Sequence, residues 1–452
     1  MYCKHLVRLT IIPVAIAIAT VPLWSSPAQA VPSFARQTGM SCAACHTVAP
    51  QLTAFGRYFK LHGYVLGPNK LHGGSAKLNI EKVPPLSAMA VLSYTLTKTT
   101  QPDSQNGSVA FPQQLSLFYA GAISEHMGAF AQITYASDSD HFSMDNTDIR
   151  YARDAKWGDN SVVWGLTANN NPAVQDVWNS TPAWGFPFLS SGSAPTPSAT
   201  PMLVGALAQQ VAGLGAYVWM NNSLYGEVSL YRSSQLGVAQ PYTSASSNII
   251  SGLAPYWRLA YEHAWEGSGG KSQNDWEIGA LGMSAHIFPG TGTPLSGPTN
   301  DFTDVGVDTQ YQRIMGNDSV TLHGIYIREN QNWHAGTVLG TASNPTDHLN
   351  YWKADASYYW NNSYGPTLAY FHISGSTDPL LYAPAAVTGS ATGSPNSDGW
   401  IMQWTWVPAL NVQLSAQYVL YNKFNGASSN YDGAGRSASD NDTLYLALWL
   451  LW

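Results

Sequence analysis

From residue 86 onward the chain repeats segments of about ten residues in which apolar side chains alternate with polar or small ones, each ended by turn-forming residues. Because successive side chains of a strand point to opposite faces, each segment is predicted to have one apolar and one polar face. The apolar faces of three segments are Trp352, Ala354, Ala356, Tyr358 and Trp360; Trp400, Met402, Trp404 and Trp406; and Val412, Leu414, Ala416, Tyr418 and Leu420. Such strands are typical of a barrel with lipid outside and a polar interior.

About sixteen such segments can be distinguished, an even number, as expected for a closed single-chain barrel of a bacterial outer membrane. Their predicted starts are Leu86, Gln113, Met127, Phe142, Ser161, Gln210, Ser223, Pro255, Asp275, Asp301, Asp318, Leu349, Tyr364, Gly399, Asn411 and Thr443. Short turns such as Asn361-Asn362 alternate with long loops such as residues 171–200 and 424–440. Since outer-membrane barrels keep short turns in the periplasm, both ends of the barrel are predicted to face the periplasm.

The last nine residues place Leu444, Leu446, Leu448, Leu450 and Trp452 on one face. This final strand is similar to the C-terminal assembly signal of bacterial outer-membrane proteins. A strand of a soluble β-sandwich would have the same local pattern. Chain length, strand number and loop alternation together favour an all-β antiparallel barrel over a sandwich.

The first thirty residues are predicted to be a signal peptide for export. Lys4 and Arg8 form a basic start, an apolar run follows, and Ala28-Gln29-Ala30 is a small-residue cleavage site. The mature chain is then expected to begin near Val31 and to reside in the outer membrane of a Gram-negative cell. No later segment has roughly twenty uninterrupted apolar residues, so membrane-spanning segments are expected to be strands.

Charged residues make up 10% of the chain, compared with roughly 25% in average soluble domains. The formal net charge of −7 argues against a nucleic-acid partner, which would require a basic surface. Scarce charge suits an acidic medium, where protonated carboxylates would leave Lys and Arg uncompensated. Uncharged polar loops suited to a barrel explain the composition equally well, and both interpretations stay open.

The mature sequence keeps two cysteines, and both lie in one pentapeptide, Cys42-Ala43-Ala44-Cys45-His46. C-x-x-C-H is the attachment pattern of c-type haem, in which the thiols bind the vinyl groups and the histidine ligates the iron. One covalent haem c is therefore predicted on Cys42 and Cys45, with His46 as an axial ligand. The alternative is a redox-active disulfide, although such motifs usually belong to βαβ units, which the strand pattern lacks.

A sixth iron ligand from Met or His is expected if the haem only transfers electrons. The candidates are Met40, His62, His72 and Met89. We place His72 first, because it lies in a glycine-rich segment that could fold over the haem. His62 falls at the end of a predicted helix, Pro50–His62, where a solvated surface histidine is at least as good an interpretation.

The region before the first strand, residues 31–85, is predicted to form a monohaem cytochrome c domain, with residues 86–452 forming the barrel. Its residues Val48, Leu52, Phe55 and Phe59 recur at helical spacing, which predicts an apolar wall for the porphyrin or ordinary helix packing. A region of this size is small for an independent core. We expect the haem to help stabilise it, together with the barrel at its periplasmic side or inside its lumen.

The run VPSFARQTGMSCAACHT from Val31 to Thr47, followed by Phe55-Gly56-Arg57 and by FKLHGY from Phe59 to Tyr64, resembles the fused cytochrome–porin family of iron-oxidising bacteria. The resemblance implies a monohaem domain joined to a barrel of about sixteen strands. It also implies oxidation of extracellular Fe(II) to Fe(III), with electrons passing through the haem to a periplasmic cytochrome c or copper protein, the activity of an iron:cytochrome c oxidoreductase. Cys42, Cys45 and His46 match the family's haem-binding positions, but no iron site carries over.

Fe(II) could approach side chains predicted to line the lumen, because hard oxygen ligands and imidazoles suit such a cation. The candidates are Asp304, Asp308, Asp355, His323 and His372. Polar residues line every such lumen, so ordinary lining is the simpler interpretation. Two other functions stay open: a diffusion pore or transporter whose haem serves sensing or another electron donor, and a periplasmic haem enzyme.

Overall fold

The computed structural model describes residues 31–66, 74–75, 78–79, 84–102, 104–234, 248–289 and 296–452. These residues form a closed barrel of 16 antiparallel strands, in which each strand pairs with the next along the chain. The barrel closes where the last strand pairs with the first, with Tyr445 opposite Thr95 and Leu450 opposite Ala90. The predicted all-β antiparallel barrel is confirmed.

The barrel strands are β1 Leu86–Thr97, β2 Ser108–Ser124, β3 Met127–Ala136, β4 His141–Trp157, β5 Asn160–Asn169, β6 Val211–Met220, β7 Leu224–Ser233, β8 Ala254–Glu266, β9 Gln273–Phe288, β10 Asn300–Met315, β11 Asp318–Asn332, β12 Thr346–Tyr359, β13 Tyr364–Gly375, β14 Ser397–Ala409, β15 Val412–Lys423 and β16 Thr443–Leu451. A two-residue strand, Ile249–Ile250, pairs with the end of β9. The largest difference from the predicted starts is at β2, which begins at Ser108 rather than Gln113. Pro112 lacks a backbone N–H and so suggested a loop, but the register of β1 and β2 shifts beside it, between Val91 and Ser93.

The helices are short: α1 Pro32–Thr38, α2 Cys42–Cys45, α3 Ala54–Leu61 and α4 His334–Leu339. Single 3-10 turns occur at Pro172–Gln175, Met202–Val204, Ser268–Gly270 and Ala438–Asn441. His46–Val48 pairs with Gln51–Leu52, and Gly74–Ser75 pairs with Leu78–Asn79. The predicted helix Pro50–His62 was therefore too long at its start: residues 51–52 are extended, and Thr53 caps α3 by accepting a hydrogen bond from the Gly56 N–H at 3.2 Å.

Apolar side chains cover the outer surface of the barrel. The exposed fraction reaches 72% at Leu214 and 65% at Val228, which would be unfavourable in water. One group of outward aromatic rings lies towards the long loops, Trp352, Tyr370 and Trp400, and another towards the short turns, Trp360, Tyr364 and Trp404. An apolar band between two aromatic girdles is the lipid-facing surface of an outer-membrane barrel, and the protein resides in that membrane.

Polar side chains of the same strands point into the lumen. Gln403 and Thr405 of β14 are buried, and Gln417 of β15 donates a hydrogen bond to Gln403 at 2.9 Å. Short turns such as residues 125–126 and 410–411 lie at one end of the barrel, which is the periplasmic end by the usual asymmetry of such barrels. Among the described residues, no helix is long and apolar enough to cross a bilayer.

The connection between β5 and β6, residues 170–210, is called the luminal loop because it folds back into the barrel. The sequence predicted it to be an external loop. Its Asp176 accepts hydrogen bonds from three backbone N–H groups and lies 3.6 Å from Arg258 of the wall; the donors are Trp178, Ser180 and Thr181. Further along, the Leu203 N–H donates to Asp304 of β10 at 2.7 Å. These contacts join distant parts of the chain, which a local pattern does not reveal.

Candidate functional site

The N-terminal segment, residues 31–66, lies inside the turn-side half of the lumen. The Ser33 N–H donates to the Ser87 hydroxyl at the start of β1, 2.9 Å away. Val48 packs against Tyr359 and Val407, which lie near the turn ends of β12 and β14. The barrel wall therefore surrounds this segment and supplies the packing partners that so short a segment could not supply itself.

The helix α3 is fixed to the barrel wall through Arg57. The buried guanidinium forms ion pairs with Glu262 of β8 at 2.9 Å and with Asp275 of β9 at 2.7 Å. Close by, the Tyr217 hydroxyl donates to the Leu61 carbonyl at 2.7 Å, at the end of the helix. Because losing one partner of a buried ion pair typically costs about 3–5 kcal/mol, these contacts hold α3 in one position.

Lys60 connects the same helix to the luminal loop. Its ammonium donates to the backbone carbonyls of Val174 at 2.6 Å and Asp176 at 3.1 Å, and lies 5.3 Å from the ring centre of Trp184. Burial lowers the pKa of Lys60 to about 7, with nearby Arg150 acting in the same direction. The loop and the helix are thus docked on each other through a buried amine.

The motif residues Cys42 to Cys45 form the single helical turn α2, which places the two cysteines three positions apart on one side. Two bonds tie this turn to the start of α3: the Thr53 N–H donates to the Cys45 carbonyl at 2.9 Å, and the Thr53 hydroxyl donates to the Ala44 carbonyl at 2.7 Å. Local bonding therefore fixes the orientation of the motif relative to the helix.

Gly56 lets α3 approach the motif closely. A Cβ atom at this position would lie 2.3 Å from the Cys45 carbonyl oxygen and 3.0 Å from Leu52 Cδ2. The first contact is with backbone, which cannot move aside as the end of a side chain can. A glycine is therefore required here by close packing.

A cavity of about 380 Å³ opens beside the motif inside the lumen, within the size range of small-molecule and cofactor sites. Its lining comes from the N-terminal segment, the barrel wall and the luminal loop. Cys42, Cys45 and His46 line it together with the apolar and aromatic residues Leu52, Phe59, Met89, Phe118, Phe130, Trp184 and Phe188. Two members of the predicted apolar wall, Leu52 and Phe59, are among these residues, whereas Val48 packs on the barrel and Phe55 lies beside Tyr58.

The three motif side chains have properties that suit a covalently attached haem. Burial lowers the pKa of His46 to about 4, against the opposing effect of the Pro50 and Gln51 backbone, so the imidazole is neutral and able to ligate iron. Its Nδ1 atom is buried without a hydrogen-bond partner among the described residues. Burial raises the pKa of Cys42 and raises that of Cys45 to about 11. Both cysteines are free thiols in this structure, and the redox-disulfide alternative stays open beside haem attachment.

The candidates for a sixth iron ligand differ in whether they line the cavity. Met40 and Met89 both line the cavity, Met40 with 41% of its surface exposed and Met89 with 4%. His62 is engaged elsewhere: its ring stacks on Tyr58 at 3.7 Å, and its Nε2 lies 3.2 Å from Asp154. His72 lies outside the described residues, so its role stays a prediction.

The five side chains proposed from the sequence for Fe(II) approach do not meet at one place. Asp304 accepts from the Leu203 N–H, and Asp308 from Arg258 and Ser180. His323 pairs with Asp355 at 2.8 Å. His372 lies on the outer face, 6.1 Å from the ring of Trp352. Among the described residues, no group of three or more His, Cys, Asp or Glu side chains is arranged to hold a metal ion.

Three residues of the site were not predicted from the sequence: Arg57, Lys60 and Trp184. One signal could have suggested that α3 docks inside the barrel. The helix has two basic residues among otherwise apolar ones, and the strands carry acidic residues at lumen-facing positions. The choice of partners among many strands depends on the closed barrel, which the local sequence does not specify.

No family model and no curated protein matches the chain. Among solved structures, OmpF of Salmonella typhi in complex with daunomycin is similar at 14% identity and a TM-score of 0.48, covering 81% of this chain and 97% of that chain. The outer membrane channel DcaP of Acinetobacter baumannii matches at 11% identity and 0.43, covering 81% and 96%. The anion-selective porin of Comamonas acidovorans matches at 9% identity and 0.44, covering 81% and 98%. The assignment to an outer-membrane porin-like barrel rests on this chain's own closed strand order, lipid-facing surface and polar interior.

Proposed function

We propose that the protein is an outer-membrane c-type cytochrome that carries one haem c inside its barrel and oxidises extracellular Fe(II) to Fe(III). One observation carries this proposal: Cys42, Cys45 and His46 line a single, mainly apolar cavity within the lumen. Two thiols and a neutral imidazole in a C-x-x-C-H motif are the donor set of a c-type haem.

When bound, the haem would supply a one-electron couple between a donor outside the cell and an acceptor in the periplasm. Cys42 and Cys45 would fix the porphyrin through thioether bonds, and His46 would ligate its iron. Phe59, Phe118 and other cavity rings would exclude water, and burial of this kind is one of the means by which a protein sets a haem potential. Gly56 keeps α3 against the motif, and Arg57 keeps α3 against the barrel wall.

The acceptor is proposed to be a periplasmic cytochrome c or copper protein. Residues 39–41, immediately before the motif, are exposed, and they belong to the segment in the turn-side half of the lumen. This end faces the periplasm, so the haem edge nearest the motif would be within reach of a soluble partner there. The protein would then act as an iron:cytochrome c oxidoreductase.

The choice of Fe(II) as donor rests on the resemblance of residues 31–64 to the fused cytochrome–porin family. The luminal loop lies between the cavity and the external end of the barrel, an arrangement that suits any donor that stays outside. An electron could then enter while the metal ion stays outside. Ferric iron is poorly soluble except in acid, so oxidation outside the cell would keep the precipitate away from the periplasm.

A diffusion pore is the second candidate, because barrels of 16–18 strands commonly enclose an aqueous channel. Against it, the N-terminal segment and the luminal loop occupy the interior, and buried residues such as Trp178 and Arg57 pack there. A pore that uses its haem for sensing or for another donor remains the alternative to be tested.

Stopped-flow mixing and liposome permeability, measured on protein purified from outer membranes, separate these functions. Anaerobic stopped-flow mixing with Fe(II) at acid pH should reduce the haem promptly, and the double variant Cys42→Ser/Cys45→Ser should lack both haem and Fe(II) oxidation. Heat-modifiable gel mobility should show that the variant's barrel still folds. A haem that stays oxidised, in protein that makes liposomes permeable to sugars, would support the pore instead.

A further inference from the structure

Buried aromatic rings form a row that starts in the last long loop, residues 424–442, at the external end of the barrel. The ring centre of Tyr431 lies 4.7 Å from that of Phe424. Phe424 lies 4.9 Å from Tyr421 of β15, which in turn lies 5.8 Å from Phe371 of β13. All four rings are at least nine-tenths buried.

The row continues from the barrel wall into the luminal loop. Phe371 belongs to the same buried cluster as Phe186, and Phe186 lies 5.8 Å from Phe188. The Lys353 ammonium donates a hydrogen bond to the Phe186 carbonyl, which fixes this part of the loop to β12. Phe188 lines the cavity beside the haem-binding motif.

One end of the row lies at the external surface of the barrel, and the other end lies at the cavity. At the outer end, Asn430 and Gly433 on either side of Tyr431 are exposed at the surface of the loop. At the inner end, Phe188 shares the cavity with Cys42, Cys45 and His46. Buried rings thus extend from an external surface to the cavity.

We propose that this row, Tyr431, Phe424, Tyr421, Phe371, Phe186 and Phe188, is the route by which electrons from the external donor reach the haem. Electron tunnelling falls off steeply with distance, and it falls off more steeply through a gap than through packed atoms. Buried rings that pack within one cluster therefore provide stronger coupling between the loop surface and the cavity than open space in the lumen would. The proposal rests on the function proposed above.

The electron balance involves the two ends alone. One Fe(II) outside becomes Fe(III), one haem iron goes from Fe(III) to Fe(II), and the rings neither gain nor lose an electron overall. The Tyr421 hydroxyl donates to the Pro195 carbonyl at 3.2 Å, and the Tyr431 hydroxyl to the Val387 carbonyl at 2.7 Å. A carbonyl does not accept the phenolic proton, so the tyrosines serve as a tunnelling medium rather than as radical relays.

The test separates a conducting role from a packing role with matched variants of the full-length haem protein. Tyr421→Leu removes a ring from the row, while Tyr421→Phe keeps the ring and removes only the hydroxyl. Tyr256→Leu removes a buried lumen ring that lies next to Tyr231 and away from the row. Thermal unfolding and the haem potential are measured for each, so that losses of stability or driving force are recorded separately.

The rate is measured without Fe(II) by flash photolysis. A ruthenium complex is attached to the cysteine introduced by Ser429→Cys in the last long loop. In a second set of variants it is attached to the cysteine introduced by Ser343→Cys in the loop between β11 and β12, so that the electron starts from a different place. Both positions are exposed, and with haem bound the mature chain would have no other free thiol. The excited label loses one electron, and the ferric haem iron gains it.

With the label at position 429, Tyr421→Leu should slow haem reduction by about an order of magnitude. The surrounding residues close only partly over the space that the ring leaves, so electrons must tunnel across a gap. Tyr421→Phe and Tyr256→Leu should keep the original rate, and so should Tyr421→Leu when the label is at Ser343. Equal rates for Tyr421→Leu and the parent from Ser429 would overturn the route but leave the cytochrome function intact. A protein without haem would instead overturn the function itself.

Discussion

Arg57 of α3 and Asp275 of β9 form an ion pair of 2.7 Å, with the arginine side chain fully buried and the aspartate 6% exposed. The pair joins the segment that carries the Cys42–His46 motif to the barrel wall more than two hundred residues later in the chain. Its position makes the barrel a partner in folding the N-terminal segment.

Arg57→Met should undock this segment, because it leaves the buried carboxylates of Glu262 and Asp275 without their cation. The expected loss is about 3–5 kcal/mol, seen as proteolysis of residues 31–66 while the barrel resists. The exposed Arg153, changed to Met, is the matched control and should leave the digestion pattern unchanged. An undigested segment in the Arg57 variant would mean that other contacts suffice to hold it.

Gly56→Ala should disturb the Cys42–His46 motif, because the new Cβ would collide with the Cys45 carbonyl oxygen. Overpacking of this kind typically costs about 1–3 kcal/mol, and the displaced turn should lower the fraction of protein that carries haem. The absorbance ratio of the Soret band to the protein band measures that fraction. Gly324→Ala is the control, because the nearest atom to its Cβ would be 3.6 Å away; equal ratios in both variants would contradict the packing argument.

Met89 is expected to be a better sixth ligand than Met40, because its thioether is buried in the cavity wall whereas Met40 is largely open to solvent. Met89→Leu should therefore convert a low-spin ferric spectrum to a high-spin one, and Met40→Leu should leave it low-spin. His72→Ala belongs in the same series, since a change confined to that variant would assign the role to the residue favoured by the sequence.

Asp378 is expected to stabilise the external loop of residues 376–396 down to the pH range in which its own carboxylate gains a proton. Burial raises the pKa of this carboxyl, but hydrogen bonds from the backbone of Leu381, Asn344, Leu380 and Ser343 outweigh the effect and hold the pKa below its usual value. A depressed folded-state pKa contributes stability that is full above the unfolded pKa and is lost as pH falls through the folded pKa. Asp378→Asn should lower the free energy of unfolding of the loop by roughly 1–3 kcal/mol at pH values above the unfolded pKa, and should change it little at pH values below the folded pKa.

Protease resistance of this loop, followed against pH, checks the prediction. In the parent, resistance should begin to fall near the pH at which an ordinary aspartate gains its proton, and the loss should be complete at lower pH, once the Asp378 carboxylate itself is protonated. The exposed Asp159, changed to Asn, should reproduce the parent curve. Identical curves for Asp378→Asn and the parent would show that the carboxylate does not organise the loop.

Most of the barrel was predictable from sequence because strand alternation is a local property. The faces of Trp404 and Gln403 follow from period two and from burial on one side. The inward fold of the luminal loop was not predictable, because Leu203 and Asp304 are 101 positions apart and nothing local specifies their contact. The motif Cys42 to His46 was evident because it is local. Its placement against Phe118 and the luminal loop was not predictable, because those contacts also join distant parts of the chain.

The central claim is tested most directly by the intact mass of mature protein purified from outer membranes and denatured in acid. A covalent haem would survive denaturation, so the predicted mass is that of the chain from about Val31 plus one haem, with neither Cys42 nor Cys45 reactive towards a thiol reagent. A mass equal to the bare polypeptide, with both thiols free or joined as a disulfide, would contradict a haem-carrying barrel.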